Sequence, residues 1–260
     1  MSTITILTDF GYQDPYVGIM KGVIINIFPG VKILDISHDI PSFSIKHTAF
    51  SLFSYYKYFP KGTIHLVVVD PGVGSLRKAI VVEAGDRYFV LPDNGIITYV
   101  WNHEEKKKAY ILENEKYFLK PISNTFHGRD IFSPVAAYIA KGVNIEEFGS
   151  SLDTPLLLPP LTLKKEKSYI LGEIIYIDKF GNAVTNIEKS LISRNISCIR
   201  VKDLCIKRIL RYYGEAEKGE KFGLFGSTNF LELSENQGKL SDSMNLEIGD
   251  KVQIIFGDEY

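Results

Sequence analysis

A chain of 260 residues with 45% hydrophobic and 23% charged side chains has the make-up of an ordinary globular protein whose core needs no disulfide or metal support. Its 30 basic and 31 acidic residues nearly cancel, which removes the electrostatic footprint of a protein working on nucleic acid or an anionic membrane and leaves a small-molecule substrate as the expectation. The opening MSTITILTDF lacks a secretory signal pattern and no run of about 18 uncharged apolar residues occurs; Cys198 and Cys205 show neither zinc nor disulfide-framework spacing, so a soluble protein in a reducing cytoplasm is expected.

Residues 3–8 alternate and stop at Asp9-Phe10-Gly11, which reads as a first strand ending in a turn. Apolar residues at helical spacing over 17–28 predict a helix closed by Pro29-Gly30. Strand 32–37, an aromatic-rich helix 44–59 and strand 63–69 follow, so that strands alternate with helices and imply βαβ units with a mainly parallel sheet. Runs 79–84 and 88–91 read as a hairpin about Gly85-Asp86, and Pro92-Asp93-Asn94-Gly95 as a loop. A short helix at 97–101, a strand at 109–112 and a helix at 130–141 complete an α/β domain over 1–155.

Three prolines and three lysines between Thr154 and Ser168 mark a linker, placed at 156–168. Beyond it, runs 169–178, 198–202, 222–226, 229–234 and 251–256 are short and β-like, separated by Gly, Asn, Asp and Ser turns, and predict a smaller all-β barrel or sandwich over 169–260.

The peptide Val68-Val69-Asp70-Pro71-Gly72-Val73-Gly74 holds the strongest chemical signal. An apolar strand that breaks off at a carboxylate and a Pro/Gly turn delivers a charge to the carboxyl edge of an α/β sheet, where ligands bind. With Arg77, Asp70 forms either a structural clamp or part of a catalytic centre. His127, between Phe126 and Gly128 just before a helix, is the imidazole best placed to handle a proton, whereas His38, His47, His65 and His103 read as structural. Asp9 ends the first strand and can either cap its turn or accept hydrogen bonds from a ribose diol. Asp178-Lys179-Phe180-Gly181-Asn182, with Thr185-Asn186 beyond it, is either a turn with an aromatic plug or a set of groups suited to a flat heterocycle and an amino acid. Ser227-Thr228-Asn229 is a turn or a backbone-rich ligand edge.

Taken in order, TDFG, VVDPGVG with Arg77, FHGRDIF and DKFGN resemble the S-adenosyl-L-methionine (SAM) hydroxide adenosyltransferase family, relatives of the fluorinase and chlorinase, over essentially the whole chain. The resemblance implies a Rossmann-like amino-terminal domain, a carboxy-terminal β-barrel and a homotrimer with active sites at subunit interfaces. Asp70, Arg77 and His127 then match the polar triad that handles the attacking water. Asp9 matches the carboxylate on the ribose hydroxyls, Phe43 an aromatic beside the adenosine, and Phe126 the pocket wall. Asp178, Phe180 and Asn182 match residues holding the methionine portion and the adenine, and Ser227 a neighbouring contact. Two positions depart: Thr228 stands about where halogenating relatives carry an arginine, and Val184 where they carry a second aromatic.

The activity implied is hydrolysis of SAM at ribose C5′ to adenosine and methionine, with no cofactor and no metal. The sulfonium leaves as a neutral thioether and needs no general acid, so the difficulty lies in deprotonating water, for which Asp70 or His127 is available. A carboxylate facing the nucleophile repels a halide. The alternatives are a halogenase of the same family, a non-catalytic SAM or adenosine binder, and a metal-dependent hydrolase using Asp9, Asp70 and His127, for which the spacing gives no support.

Overall fold

The computed structural model describes residues 2–257. The chain divides into two compact units, Met1–Leu158 and Pro159–Tyr260.

In the first unit, β1 (Thr3–Thr8), α1 (Tyr16–Ile27), β2 (Lys32–Ser37), α2 (Ile45–Tyr55) and β3 (Ile64–Val68) alternate as the hydrophobic pattern predicts. Then come β4 (Ala79–Ala84), β5 (Arg87–Pro92), α3 (Thr98–His103), β6 (Lys107–Ile111), α4 (Ser133–Ala140) and β7 (Ser151–Leu152). The seven strands form one sheet in the order β2-β1-β3-β5-β4-β6-β7. Side chains alternate across its inner strand β3: Leu66 and Val68 join a core with Met20 and Ile24 of α1 and Val135 of α4. Val67 and Val69 join the opposite core with Leu52 of α2 and Val100 of α3. Strand β3 is therefore covered on both faces, which explains why its run is apolar apart from the buried His65.

The expected mainly parallel, Rossmann-like sheet is corrected to a mixed one. Pairings β2-β1, β1-β3 and β3-β5 are parallel, but β5-β4, β4-β6 and β6-β7 are antiparallel. The cause is local: Gly85 and Asp86 sit at φ +57° and +60°, as a two-residue type I′ hairpin requires, and such a turn can only return the chain antiparallel.

The second unit has β8 (Lys164–Lys165), β9 (Tyr169–Ile177), β10 (Ala183–Glu188), β11 (Ile196–Val201), β12 (Leu204–Ile206), β13 (Ile209–Leu210), β14 (Lys221–Phe225), β15 (Phe230–Glu235), α5 (Leu240–Ser243) and β16 (Lys251–Phe256). Its sheet runs β12-β11-β16-β9-β10-β15-β14-β13, with β8 on β9. It curls around a core of Ile170, Ile174, Ile187, Ile199, Leu231 and Ile254. Among the described residues no hydrogen-bonded pairing closes the two ends, so the expected barrel is an open, curled sheet. Lys164–Lys165 pair with β9 inside the stretch read as linker. Cys198 and Cys205, which gave no pairing signal, are joined across the β11–β12 hairpin with Cα atoms 5.7 Å apart. The reducing setting inferred from unpaired thiols loses that support. No helix among the described residues is long and apolar enough to cross a membrane.

Candidate functional site

Strand β3 ends at Val68, and the turn that follows carries Asp70 to the sheet's carboxyl edge. Gly74 has φ +75°, and a Cβ there would lie 2.2 Å from the Asn124 carbonyl oxygen, so only glycine lets this turn close against the segment leading to His127. On the other side, the Asn94 amide donates to the Val69 carbonyl at 3.0 Å and fixes where the strand ends.

Packed this way, the three polar groups form one string. Arg77 Nε donates to Asp70 Oδ1 at 2.9 Å and Oδ2 at 3.0 Å, and Arg77 Nη2 also reaches Oδ2. The same Nη2 lies 2.8 Å from His127 Nδ1. The Arg77 guanidinium rests 5.2 Å from the Phe132 ring centre, and the Asp70 and Arg77 side chains are only 5% and 10% exposed. Burial holds the His127 pKa below the ordinary imidazole value, the positive charge of Arg77 lowers it further, and the charges of Asp70 and Asp130 oppose both. His127 is thus neutral at neutral pH. A guanidinium only donates, so Nδ1 is the acceptor and the ring proton sits on Nε2.

His127 enters through a π-helical turn, Gly128–Phe132, that runs into α4, an irregularity common at functional sites. A Cβ on Gly128 would come within 3.3 Å of both Met20 and the Phe126 ring, so the turn is packed tightly onto α1. Phe126 stands edge-on to Phe10 and Tyr16 at 6.1 and 5.2 Å, in an aromatic wall.

Asp9 accepts the Phe43 backbone N–H at 2.9 Å through Oδ2. Phe43 has φ +64° and is 69% exposed, a left-handed conformation that costs a bulky residue of order 1–3 kcal/mol and collects at functional positions. Asp9 therefore ties down the distant Phe43 loop with one oxygen rather than its own following turn, and among the described residues no hydrogen bond falls on the other oxygen.

In the second unit, Asp178 Oδ1 accepts from the backbone N–H groups of Phe180 and Asn182 at 2.8 and 2.9 Å, and Oδ2 from the Asn182 side chain at 2.8 Å. The DKFGN segment is thus a carboxylate-held turn, and it lines a cleft of about 610 Å³ with Tyr213, Glu235, Asn236 and Lys239. Phe180 is 61% exposed there, with Lys179 Nζ 4.9 Å from its ring centre. Ser227 lies outside that lining, in the β14–β15 turn. Beside it, Thr228 Oγ1 is buried without a hydrogen-bond partner among the described residues. Asn186, offered as a ligand amide, is instead spent inside the sheet, accepting from Glu173 N–H and donating to the Thr162 carbonyl at 2.8 Å each.

The models of the SAM hydroxide adenosyltransferase N-terminal and C-terminal domains match residues 4–149 and 172–253. The chain belongs to this family. It is 37% identical to the (R)-S-adenosyl-L-methionine hydrolase of Methanocaldococcus jannaschii, over 98% of this chain and 97% of that one. Identity to the Thermus thermophilus protein of the same name is 32%, over 98% and 100%. A fluorinase from an Actinoplanes species is more distant, 23% identical over 95% of both chains. Among solved structures, an uncharacterized conserved protein of Thermotoga maritima superimposes with a TM-score of 0.90 at 36% identity, covering 97% of this chain and 99% of that one.

In this adenosyltransferase chain, sequence reasoning missed the residues that arrange the triad. Gly74 was visible only as a turn glycine and Asn94 as part of a loop; apart from the triad, Tyr213 of the second-unit cleft lay unremarked in a charged stretch. The Tyr213 hydroxyl donates to Glu232 at 3.4 Å, and the carboxyl of Glu232 is held above its usual range by burial and then by the like charge of Asp178. Arg77 fills the space between Asp70 and His127, a cation where a metal-dependent reading would put its ion. No cluster of three or more His, Cys, Asp or Glu suited to a metal occurs among the described residues.

Proposed function

We propose that the protein hydrolyses S-adenosyl-L-methionine by water attack at ribose C5′, giving adenosine and L-methionine, with a preference for the (R) sulfonium epimer named in its relatives. The observation that carries this reading is the string Asp70–Arg77–His127 at the edge of a sheet whose other loops present Asp9, Phe43 and Phe126.

The string divides the work. His127 Nδ1 is occupied by Arg77, so its Nε2–H donates to the water oxygen and orients it, and the ring takes up no proton. Asp70 Oδ2 accepts from both Nε and Nη2 of Arg77, whereas among the described residues Oδ1 accepts from Nε alone and keeps a lone pair, with which it takes the proton as the O–C5′ bond forms. The C5′–S bond breaks with its electron pair going to sulfur, and methionine leaves neutral. Arg77 supplies the counter-charge to the buried Asp70 carboxylate, and in-line placement supplies proximity. The carboxylate also disfavours a halide nucleophile.

Asp9 receives the ribose hydroxyls in this reading, the strained Phe43 packs on the nucleoside, and Phe126 closes the wall. Asp178, Phe180, Asn182 and Ser227 hold the methionine portion and the adenine. Assembly as a homotrimer and a cytoplasmic location, where the substrate is made, belong to the same reading. No cofactor or metal enters the chemistry.

Incubation of the purified protein with each sulfonium epimer, followed by chromatography, tests it. Equimolar adenosine and methionine, formed faster from the (R) epimer, are the expected products. Failure of both epimers to give adenosine overturns the reading, and a 5′-chloro nucleoside in chloride buffer replaces it with halogenation.

A further inference from the structure

The segment that delivers His127 hangs on one buried charge. Asp130 is fully buried, and its Oδ2 accepts the Ser123 backbone N–H at 2.8 Å, while its carbonyl accepts Leu119 N–H at 2.8 Å. Its ionic partner is the adjacent Arg129, through Nε at 2.6 Å and Nη2 at 3.0 Å. Arg129 in turn sits 5.3 Å from the Phe126 ring centre.

A carboxylate with no exposed surface is costly to bury, and an apolar residue would fill the same space more favourably. An ion pair between sequence neighbours, one of them 33% exposed, also does little to join distant parts of the chain. What Asp130 does join is the 119–125 segment to the start of α4. Ser123, so held, accepts the Thr125 N–H through Oγ at 3.2 Å. Between them lies Asn124, whose carbonyl is the surface on which Gly74 closes.

We infer that Asp130 is a positioning residue for the triad: its carboxylate fixes Ser123 and Asn124, and thereby sets how the Asp70–Arg77 turn docks and whether Arg77 reaches His127 Nδ1. The inference rests on the hydrolytic reading for its kinetic consequence, but its geometric consequence can be read without turnover. Among the described residues Asp130 makes no hydrogen bond or ion pair with Asp70 or Arg77 and reaches them through the loop, while its charge is felt at His127.

The test uses the intact protein labelled with ¹⁵N-histidine. In wild type, the His127 nitrogens report an unprotonated Nδ1 and a protonated Nε2. Asp130→Ala releases Ser123, depopulates that tautomer and lowers kcat roughly 10- to 100-fold, the range for small misplacements of reacting groups, with KM changed less than about threefold. Asp130→Asn, whose amide oxygen can still accept the Ser123 N–H, restores most of both. Should Asp130→Ala not fold, Asp130→Leu fills the same buried space without an acceptor for the Ser123 N–H and shifts tautomer and kcat in the same direction. A folded Asp130→Ala, or in its place Asp130→Leu, with wild-type tautomer and wild-type kcat overturns the inference. Absence of adenosine formation by wild type would instead sink the hydrolytic reading, leaving the tautomer comparison to decide the role of Asp130.

Discussion

Replacing Asp70 by Asn separates the chemistry of the triad from its packing. The amide has the same shape, and its oxygen can still accept from Arg77 Nε, which lies 2.9 and 3.0 Å from the two carboxylate oxygens. Its NH₂ group, however, meets Arg77 Nη2 donor to donor, and the guanidinium, only 10% exposed, loses its counter-charge. Partial retention of the hydrogen bond, with the Phe132 ring and His127 still in contact, puts the stability loss at roughly 1–3 kcal/mol, below that for stripping a buried ion pair outright. The catalytic loss is larger, because an amide oxygen cannot take the proton of the attacking water. General-base catalysis contributes about 10²- to 10⁴-fold, or about 2.7–5.5 kcal/mol of barrier. Adenosine formation followed by chromatography should show kcat reduced within that range and KM changed less than about threefold, while urea denaturation shows the protein still folded. A folded Asp70→Asn variant within about tenfold of wild-type kcat would refute Asp70 as proton acceptor.

Because His127 is assigned a donor's task rather than a base's, His127→Gln, whose amide can donate near the Nε2 position, should retain roughly tenfold more kcat than His127→Ala; equal, complete loss in both would return the base to His127. Asp9→Asn keeps an oxygen for the Phe43 N–H but turns its other group into a donor, so KM should rise roughly tenfold, the worth of one hydrogen bond, with kcat changed less; an unchanged KM removes Asp9 from the ribose. His65, buried with Nδ1 2.8 Å from Thr5 Oγ1, has its pKa pushed down to about 3 by burial, with Arg87 adding to it. The unfolded chain therefore binds a proton below about pH 6.5 that the native state refuses, and stability is lost as pH falls from there toward 3. Between pH 7.5 and 5.5 wild type should lose about 1.4 kcal/mol more than His65→Asn in urea titrations; equal losses would show that His65 protonates in the native state.

The elements of the first unit were legible where burial follows a simple period. Strand β3 announced itself as an apolar run ending in a carboxylate, and α1 by its spacing and its Pro-Gly stop. The sheet's antiparallel half followed from the turn at Gly85-Asp86, yet alternating strands and helices suggested parallel pairing throughout. Strand β10 was hidden because Thr185 and Asn186 are polar but buried, each satisfied by hydrogen bonds within the sheet, a pattern that a single sequence cannot distinguish from a ligand-binding turn. In the site, Asp70, Arg77 and His127 stood out by residue type. The groups that bring them together did not, since Gly74 acts through a close approach to Asn124, and Asp130 through a backbone N–H seven residues earlier. Such contacts leave no spacing signal.

The central claim is that a water molecule, oriented by His127 and deprotonated by Asp70, attacks C5′. Turnover in H₂¹⁸O with mass spectrometry of the nucleoside reads this directly. One ¹⁸O atom in the 5′-hydroxyl of adenosine is the predicted result; adenosine whose 5′-oxygen carries no label would contradict it.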